Sequence, residues 1–304
     1  MKNYLIVFFI AITLNLFAQK HAEDYVQLGI KQIKLGYPEQ ALESFNKAVL
    51  LDPKHPEAWY NRGVLYFSLG ESTKALNDFN KALRLKPDQP EVLFQRALIH
   101  QAIGNINQSI ADLANALEED SLYADARFTL GLVYFEEKNY TKALQQLNTF
   151  IRHLPENAKG YYQRGLINHH AKDYFGAIRD FDKAINLLPS NAEYYSSRGV
   201  SKAQLGYFYA AITDFNQAID IDNQYFEAIS NRALALFNVR KYSEAQQDYT
   251  KLIVLDSSAA DAWTGRALCR FALDQAKDGC ADLAQAQKRG NTVAGELLVK
   301  YCKD

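Results

Sequence analysis

A strict internal period governs this chain. From Ala22 to Val293 it divides into eight consecutive units of 34 residues, with no insertion or deletion. The units are 22–55, 56–89, 90–123, 124–157, 158–191, 192–225, 226–259 and 260–293. Self-similarity at such a period marks a stack of supersecondary units, each of which buries its apolar face only against its neighbours. That architecture overrides the soft expectation of about two globular domains for a chain of this length.

Three columns of the repeat describe the unit. Position 8 is always small: Gly29, Gly63, Ala97, Gly131, Gly165, Gly199, Ala233 and Ala267. Position 20 is small as well, from Ala41 to Gly279, while position 24 is always large and apolar or aromatic, from Phe45 to Leu283. Small residues let two helices approach, and one large side chain fills the remaining gap. The prolines agree. Pro53, Pro87, Pro155 and Pro189 fall after the second helix, and Pro38, Pro56 and Pro90 fall where a helix starts. None falls inside a helix, where it would cost about 3 kcal/mol. Gly36, Gly70, Gly104 and Gly206 share position 15 and end the first helix.

The pattern resembles the tetratricopeptide repeat family. The second and fifth units carry Trp59 or Tyr161 at position 4, Gly63 or Gly165 at 8, Ala75 or Ala177 at 20, Ala82 or Ala184 at 27, and Pro87 or Pro189 at 32. The fourth unit departs, with Arg127 at position 4 and Phe150 at 27, and four units lack the proline. The resemblance implies an all-α fold. It would be an α-solenoid, a right-handed superhelix of eight helix-turn-helix repeats. The segment 294–304 reads as a capping helix over the last repeat, with Leu297, Leu298 and Tyr301 on one apolar face and Lys300 and Lys303 towards water.

An arginine interrupts the apolar spacing of the first helix in six units: Arg62, Arg96, Arg164, Arg198, Arg232 and Arg266. Those same six units carry aspartate at position 23: Asp78, Asp112, Asp180, Asp214, Asp248 and Asp282. The other two units have Leu28 and Leu130 in place of the arginine, and Ser44 and Gln146 in place of the aspartate. Charges that appear and vanish together across an antiparallel helix pair point to a structural ion pair, gripped by the guanidinium fork. An arginine row for an anionic partner is the competing reading. A dedicated aspartate in each such unit speaks against it.

The resemblance also implies where a partner binds. The first helices would line a concave groove, with positions 2, 5, 6, 9, 12 and 13 inward. Carried onto this chain, the groove holds the aromatics Tyr60, Phe67, Phe94, Phe128, Phe135, Tyr162, Phe237 and Phe271, and the amides Asn61, Gln95, Gln163 and Asn231. Amides can bond a peptide backbone while aromatics take its side chains. The expected function is a non-enzymatic scaffold gripping an extended peptide or partner segment. Two alternatives are an assembly subunit of a cell-envelope complex, using repeat edges and the convex face, and a carbohydrate-binding accessory module. A basic clamp for a C-terminal carboxylate is not expected, because Lys34 and Lys159 stand in distant units.

Other chemistry is not indicated. Net charge is −1 with both signs interspersed, so no basic surface for nucleic acid is expected. His169 and His170 are adjacent, so on a helix they diverge, and no metal or cofactor site is expected. No phosphate loop, nucleophile elbow or zinc-protease motif occurs, and no catalytic residue is assigned.

The N-terminal stretch MKNYLIVFFIAITLNLFA reads as a secretory signal over 1–18, with Lys2, an apolar run too short to span a bilayer, and Ala18 at the cleavage point. Leu16 is larger than the ideal residue before the cleavage point, so retention as an anchor is the alternative. The expected location is exported, periplasmic or secreted, with no membrane span once the signal is cleaved. An oxidising compartment allows the cysteines to pair. If the last repeat helix and the terminal helix are antiparallel, Cys280 lies opposite Cys302. Cys269 with Cys280 is the alternative pairing, and three free thiols the remaining one.

Overall fold

The computed structural model describes residues 19–302. The segment read as a secretory signal, residues 1–18, lies outside the described residues, as does Lys303. The described chain is all-α, with no strand, and divides between Asn139 and Tyr140 into two compact units.

The first unit holds α1 (residues 19–34), α2 (Pro38–Leu51), α3 (Pro56–Ser68), α4 (Ser72–Leu85), α5 (Pro90–Ala102), α6 (Ile106–Glu119) and α7 (Ala124–Glu136). The second holds α8 (Tyr140–His153), α9 (Ala158–His170), α10 (Tyr174–Leu187), α11 (Ala192–Gln204), α12 (Phe208–Ile221), α13 (Phe226–Asn238), α14 (Tyr242–Leu255), α15 (Ala260–Ala272), α16 (Ala276–Lys288) and α17 (Thr292–Tyr301). Within each unit every helix packs on the next, which is the layout of an α-solenoid. In addition, α3 touches α5 in the first unit, and α9, α11, α13 and α15 touch in succession in the second. No pair of even-numbered helices makes a comparable contact among the described residues. The odd helices therefore form the inner side of each unit and the even helices the outer side.

Packing explains the columns of small and large residues. The rings of Phe45, Phe79, Phe181 and Phe215 are buried on the second helices. A Cβ placed at Gly63 would lie 2.7 Å from the Phe79 ring, and one at Gly165 would lie 2.7 Å from the ring of Phe181. No real Cβ tolerates that approach, so the phenylalanine requires the glycine. Ala97 and Ala267 face the narrower Leu113 and Leu283, while Ala233 faces Tyr249, whose ring lies against Gly265 of the next repeat. Each such buried side chain contributes roughly 1.5–3 kcal/mol through its removal from water.

The turns between paired helices share one backbone. Gly36, Gly70, Gly104 and Gly206 have φ between 78° and 81°, the left-handed conformation that ends a helix. Lys138, Lys172, Arg240 and Asp274 occupy the same repeat position, with φ between 57° and 64°. The helix pairing holds the turn even where no glycine relieves it, at about 1–2 kcal/mol per residue.

The terminal helix α17 covers the last repeat. Ala294 is buried, and Leu297 and Leu298 pack on Leu283 and Ala286. Tyr301 keeps a water-facing edge while its ring stacks on Phe271 at 5.1 Å. Asn291 caps this helix by accepting from the Ala294 N–H. Lys300 is exposed. No described helix is long and apolar enough to cross a membrane.

Candidate functional site

The arginines form part of the frame. Arg62 donates from Nε and Nη2 to the two carboxylate oxygens of Asp78, both at 2.8 Å. The same fork joins Arg96 to Asp112, Arg164 to Asp180, Arg198 to Asp214, Arg232 to Asp248 and Arg266 to Asp282, at 2.5–3.0 Å. All six aspartates are buried. Two further sets of contacts complete the network. Each arginine Nη1 reaches back to the preceding repeat: Arg62 to Asn46, Arg96 to Asn80, Arg164 to Asn148, Arg198 to Asp182, Arg232 to Asn216 and Arg266 to Thr250. Several aspartates also gain a second donor one turn further along the first helix, from Asn168, Lys202 or Arg270. Each arginine thus ties three helices together across a repeat boundary. The asparagine column at position 25 was visible in the sequence and was not singled out there. It belongs to the neighbouring unit, so comparison within a unit does not reveal it.

In the first of the two repeats that lack the ion pair, Ser44 donates to Gln32 at 2.7 Å, a neutral substitute for it. Arg127, which departs from the aromatic column, has a related role. It donates to the Ser121 carbonyl at 2.7 Å, just as the indoles of Trp59 and Trp263 donate to Pro53 and Ser257 six residues back.

The inner side carries the sequence-predicted groove. Tyr60, Asn61, Phe67, Phe94, Gln95, Phe128 and Phe135 stand half-buried on α3, α5 and α7 of the first unit. Gln163, Asn231, Phe237 and Phe271 stand half-buried on α9, α13 and α15 of the second. Tyr162 differs. It is 7% exposed, its ring held 4.7 Å from Tyr194 and 5.8 Å from Phe181. The next repeat covers it, so it belongs to the packing between repeats and not to an open wall. Phe271 is partly claimed too, by Tyr301. The amides divide likewise. Asn61 donates to the carbonyl of Glu57. The side chains of Gln95, Gln163 and Asn231 make no hydrogen bond among the described residues. Clefts open on this side. One of about 260 Å³ is lined by Ile30, Ile33, Val64, Leu65 and Asn61. Another of about 480 Å³ is lined by Phe226, Asn231, Leu234, Tyr249, Asp261 and Arg289.

Two histidines on the inner side, His169 and His55, serve the fold. His169 Nδ1 bonds the Ser201 hydroxyl at 2.9 Å, and its ring meets Tyr174 edge-on. Burial and the neighbouring His170 push the His169 pKa down. Glu23, His55 and Glu57 bring three possible ligand atoms within 4.8 Å of one another. His55 Nε2 and Glu23 are already hydrogen-bonded at 3.0 Å, joining the start of α3 to α1. Sequence spacing had not suggested this group, because Glu23 and His55 lie at opposite ends of one repeat.

Cys280 and Cys302 form a disulfide, which staples α17 to α16. Cys269 is a buried free thiol, its pKa pushed up to about 12 by desolvation.

Tetratricopeptide repeat sequence models match residues 56–89, 94–152, 139–192, 192–225 and 230–292, and a TPR repeat model matches 33–70. The chain belongs to the tetratricopeptide repeat family. Solved structures share its fold. A tetratricopeptide repeat protein from Parabacteroides merdae is 20% identical, with a TM-score of 0.61 over 82% of this chain and 99% of that one. The C-terminal part of a TPR repeat-containing protein from Cytophaga hutchinsonii is 20% identical, with a TM-score of 0.68 over 79% and 98%. YrrB, described as a TPR protein with an unusual peptide-binding site, is 21% identical, with a TM-score of 0.52 over 60% and 95%. At these identities the likeness is one of fold. No curated protein matches the chain.

Proposed function

We propose that the chain binds an extended peptide or partner segment along the inner side of its repeats. Tetratricopeptide repeats mediate contacts between proteins, and the chain is an interaction scaffold of that general kind. One observation carries the finer reading. Gln95, Gln163 and Asn231 are half-buried on the inner helices yet have no hydrogen-bond partner among the described residues. A primary amide both donates and accepts, so within each unit these side chains suit the backbone of an extended chain. The flanking Phe94 and Phe237 offer apolar area for its side chains. Substituting Gln163→Ala together with Asn231→Ala tests this. The reading expects partner binding to weaken while the melting temperature holds, and binding that is unaffected overturns it.

A second reading, assembly through the outer side, is favoured by Leu50 and Val254, which are 81% and 80% exposed on outer helices. Substitution of this pair by serine would then abolish assembly and leave peptide binding intact.

We also propose export. The charge and apolar pattern of residues 1–18 supports it, as does the disulfide, which suits an oxidising compartment. N-terminal sequencing of the mature chain from fractionated cells tests it. A chain that begins at Met1 in the reducing cytosol overturns it.

A further inference from the structure

The repeat 226–259 has a gap where other repeats have rings. Two repeat positions meet at a boundary: position 5 of the first helix and position 34, just before the next first helix. In the repeat 90–123 they are Phe94 and Tyr123, whose rings lie 5.3 Å apart. Position 5 holds Tyr60, Phe128 or Tyr162 in three further repeats. In the repeat 192–225 position 5 is Ser196, and Tyr225 at position 34 supplies the ring, its hydroxyl bonded to Ser196. The repeat 226–259 has Ser230 and Ala259, and no other repeat has so small a pair.

The structure opens at that point. Ser230 and Ala259 both line the cleft of about 480 Å³. Such a volume falls within the roughly 300–1,000 Å³ of small-ligand sites. Tyr249 and Leu252 are buried in its wall, while Leu234 at its edge is 55% exposed. The Tyr249 ring does not close the cleft, because it is turned against Gly265. The wall is also polar. The Ser230 hydroxyl and the Asn231 amide are half-buried and make no side-chain hydrogen bond among the described residues. Asp261 accepts from Asn291 at 2.8 Å, and Arg289 donates to the Ser257 carbonyl at 2.6 Å. These two are the charged residues of the wall, and their charges offset. A lysine or glutamate side chain would therefore meet one charge of its own sign.

We propose that this cleft takes a tyrosine side chain of the bound partner. The ring fills the place that the chain's own aromatics fill elsewhere, and the hydroxyl meets the free groups of Ser230 and Asn231. A neutral wall suits a neutral side chain. A phenol both donates and accepts, and its ring suits the apolar part of the wall. The proposal rests on the peptide-binding reading above and names the residue that anchors the peptide.

The test titrates the isotopically labelled full chain with N-acetyltyrosinamide, N-acetylphenylalaninamide and N-acetylleucinamide, and follows backbone amide shifts. The tyrosine amide should shift residues 230, 231 and 259–262, with a dissociation constant on the order of 1 mM. The phenylalanine amide should bind about fivefold more weakly for want of the hydroxyl, and the leucine amide more weakly still. Ser230→Phe and Ala259→Tyr each put a ring into the cleft, as positions 5 and 34 do in other repeats. Each should abolish the binding with the melting temperature kept, and either one decides if the other misfolds. Absence of shifts around the cleft, equal binding of the three amides, or binding that survives the substitutions overturns the tyrosine anchor. A photocrosslinker at Gln163 in the native host reports on the groove separately. Partner capture there without tyrosine binding overturns the anchor alone, and loss of both overturns the groove reading with it.

Discussion

Arg164 and Asp180 are joined by two hydrogen bonds, and neither residue stops at the other. Arg164 also reaches Asn148 on α8, while Asn168 donates to Asp180. Breaking one side leaves a buried charge without its partner. Asp180→Ala should therefore destabilise the chain by about 3–5 kcal/mol. Combining Arg164→Leu with Asp180→Ser, which copies the uncharged first repeat, should be much milder, because Asn168 stands where Gln32 stands beside Ser44. Urea unfolding of the single and combined variants compares the two losses. Equal losses would refute the account.

Lys172 has a φ of 64°, where the equivalent residue in four other repeats is glycine. Lys172→Gly should stabilise the chain by about 1 kcal/mol by relieving the left-handed strain. Lys172→Val should do the reverse, since branching at Cβ makes the conformation costlier. Denaturant midpoints measure both.

Much of this was legible in the sequence, for a physical reason. A repeat samples the same environment several times, so the pairing of Gly63 with Phe79, or of Arg62 with Asp78, shows as linked columns within one unit. Contacts between units are harder to read. The asparagine at position 25 serves the arginine of the next repeat, and Tyr162 is buried by Tyr194 of the next repeat. The turns at Lys138 and Arg240 were hidden for another reason. Only glycine announces a left-handed residue, while here the helix pairing imposes it.

Cys280 and Cys302 close a loop with a sequence separation of 22. Chain-entropy arguments give such a loop about 3 kcal/mol. With a single buried residue, α17 depends on that link. Reduction should raise hydrogen exchange across residues 292–301 first, and the Cys280→Ser variant should behave as the reduced chain does. Cys269, whose thiol is held protonated, should resist alkylation at neutral pH until the chain unfolds.

His169 gives the stability a pH dependence of defined sign. Its folded pKa is lowered by burial first and by His170 second, from an ordinary value of 6.5. The unfolded chain therefore binds the proton more readily. The stabilisation is complete above pH 6.5 and is lost as pH falls below it. Melting temperatures taken from neutral pH downwards should decline, and His169→Gln should flatten that decline.

The most direct measurement of the central claim is site-specific photocrosslinking in the native host. A photoreactive residue would be placed at Gln163 on inner helix α9 or, separately, at Val254 on outer helix α14. The inner position should yield a discrete partner adduct and the outer position none. Adducts from Val254, with none from Gln163, would contradict binding along the inner side.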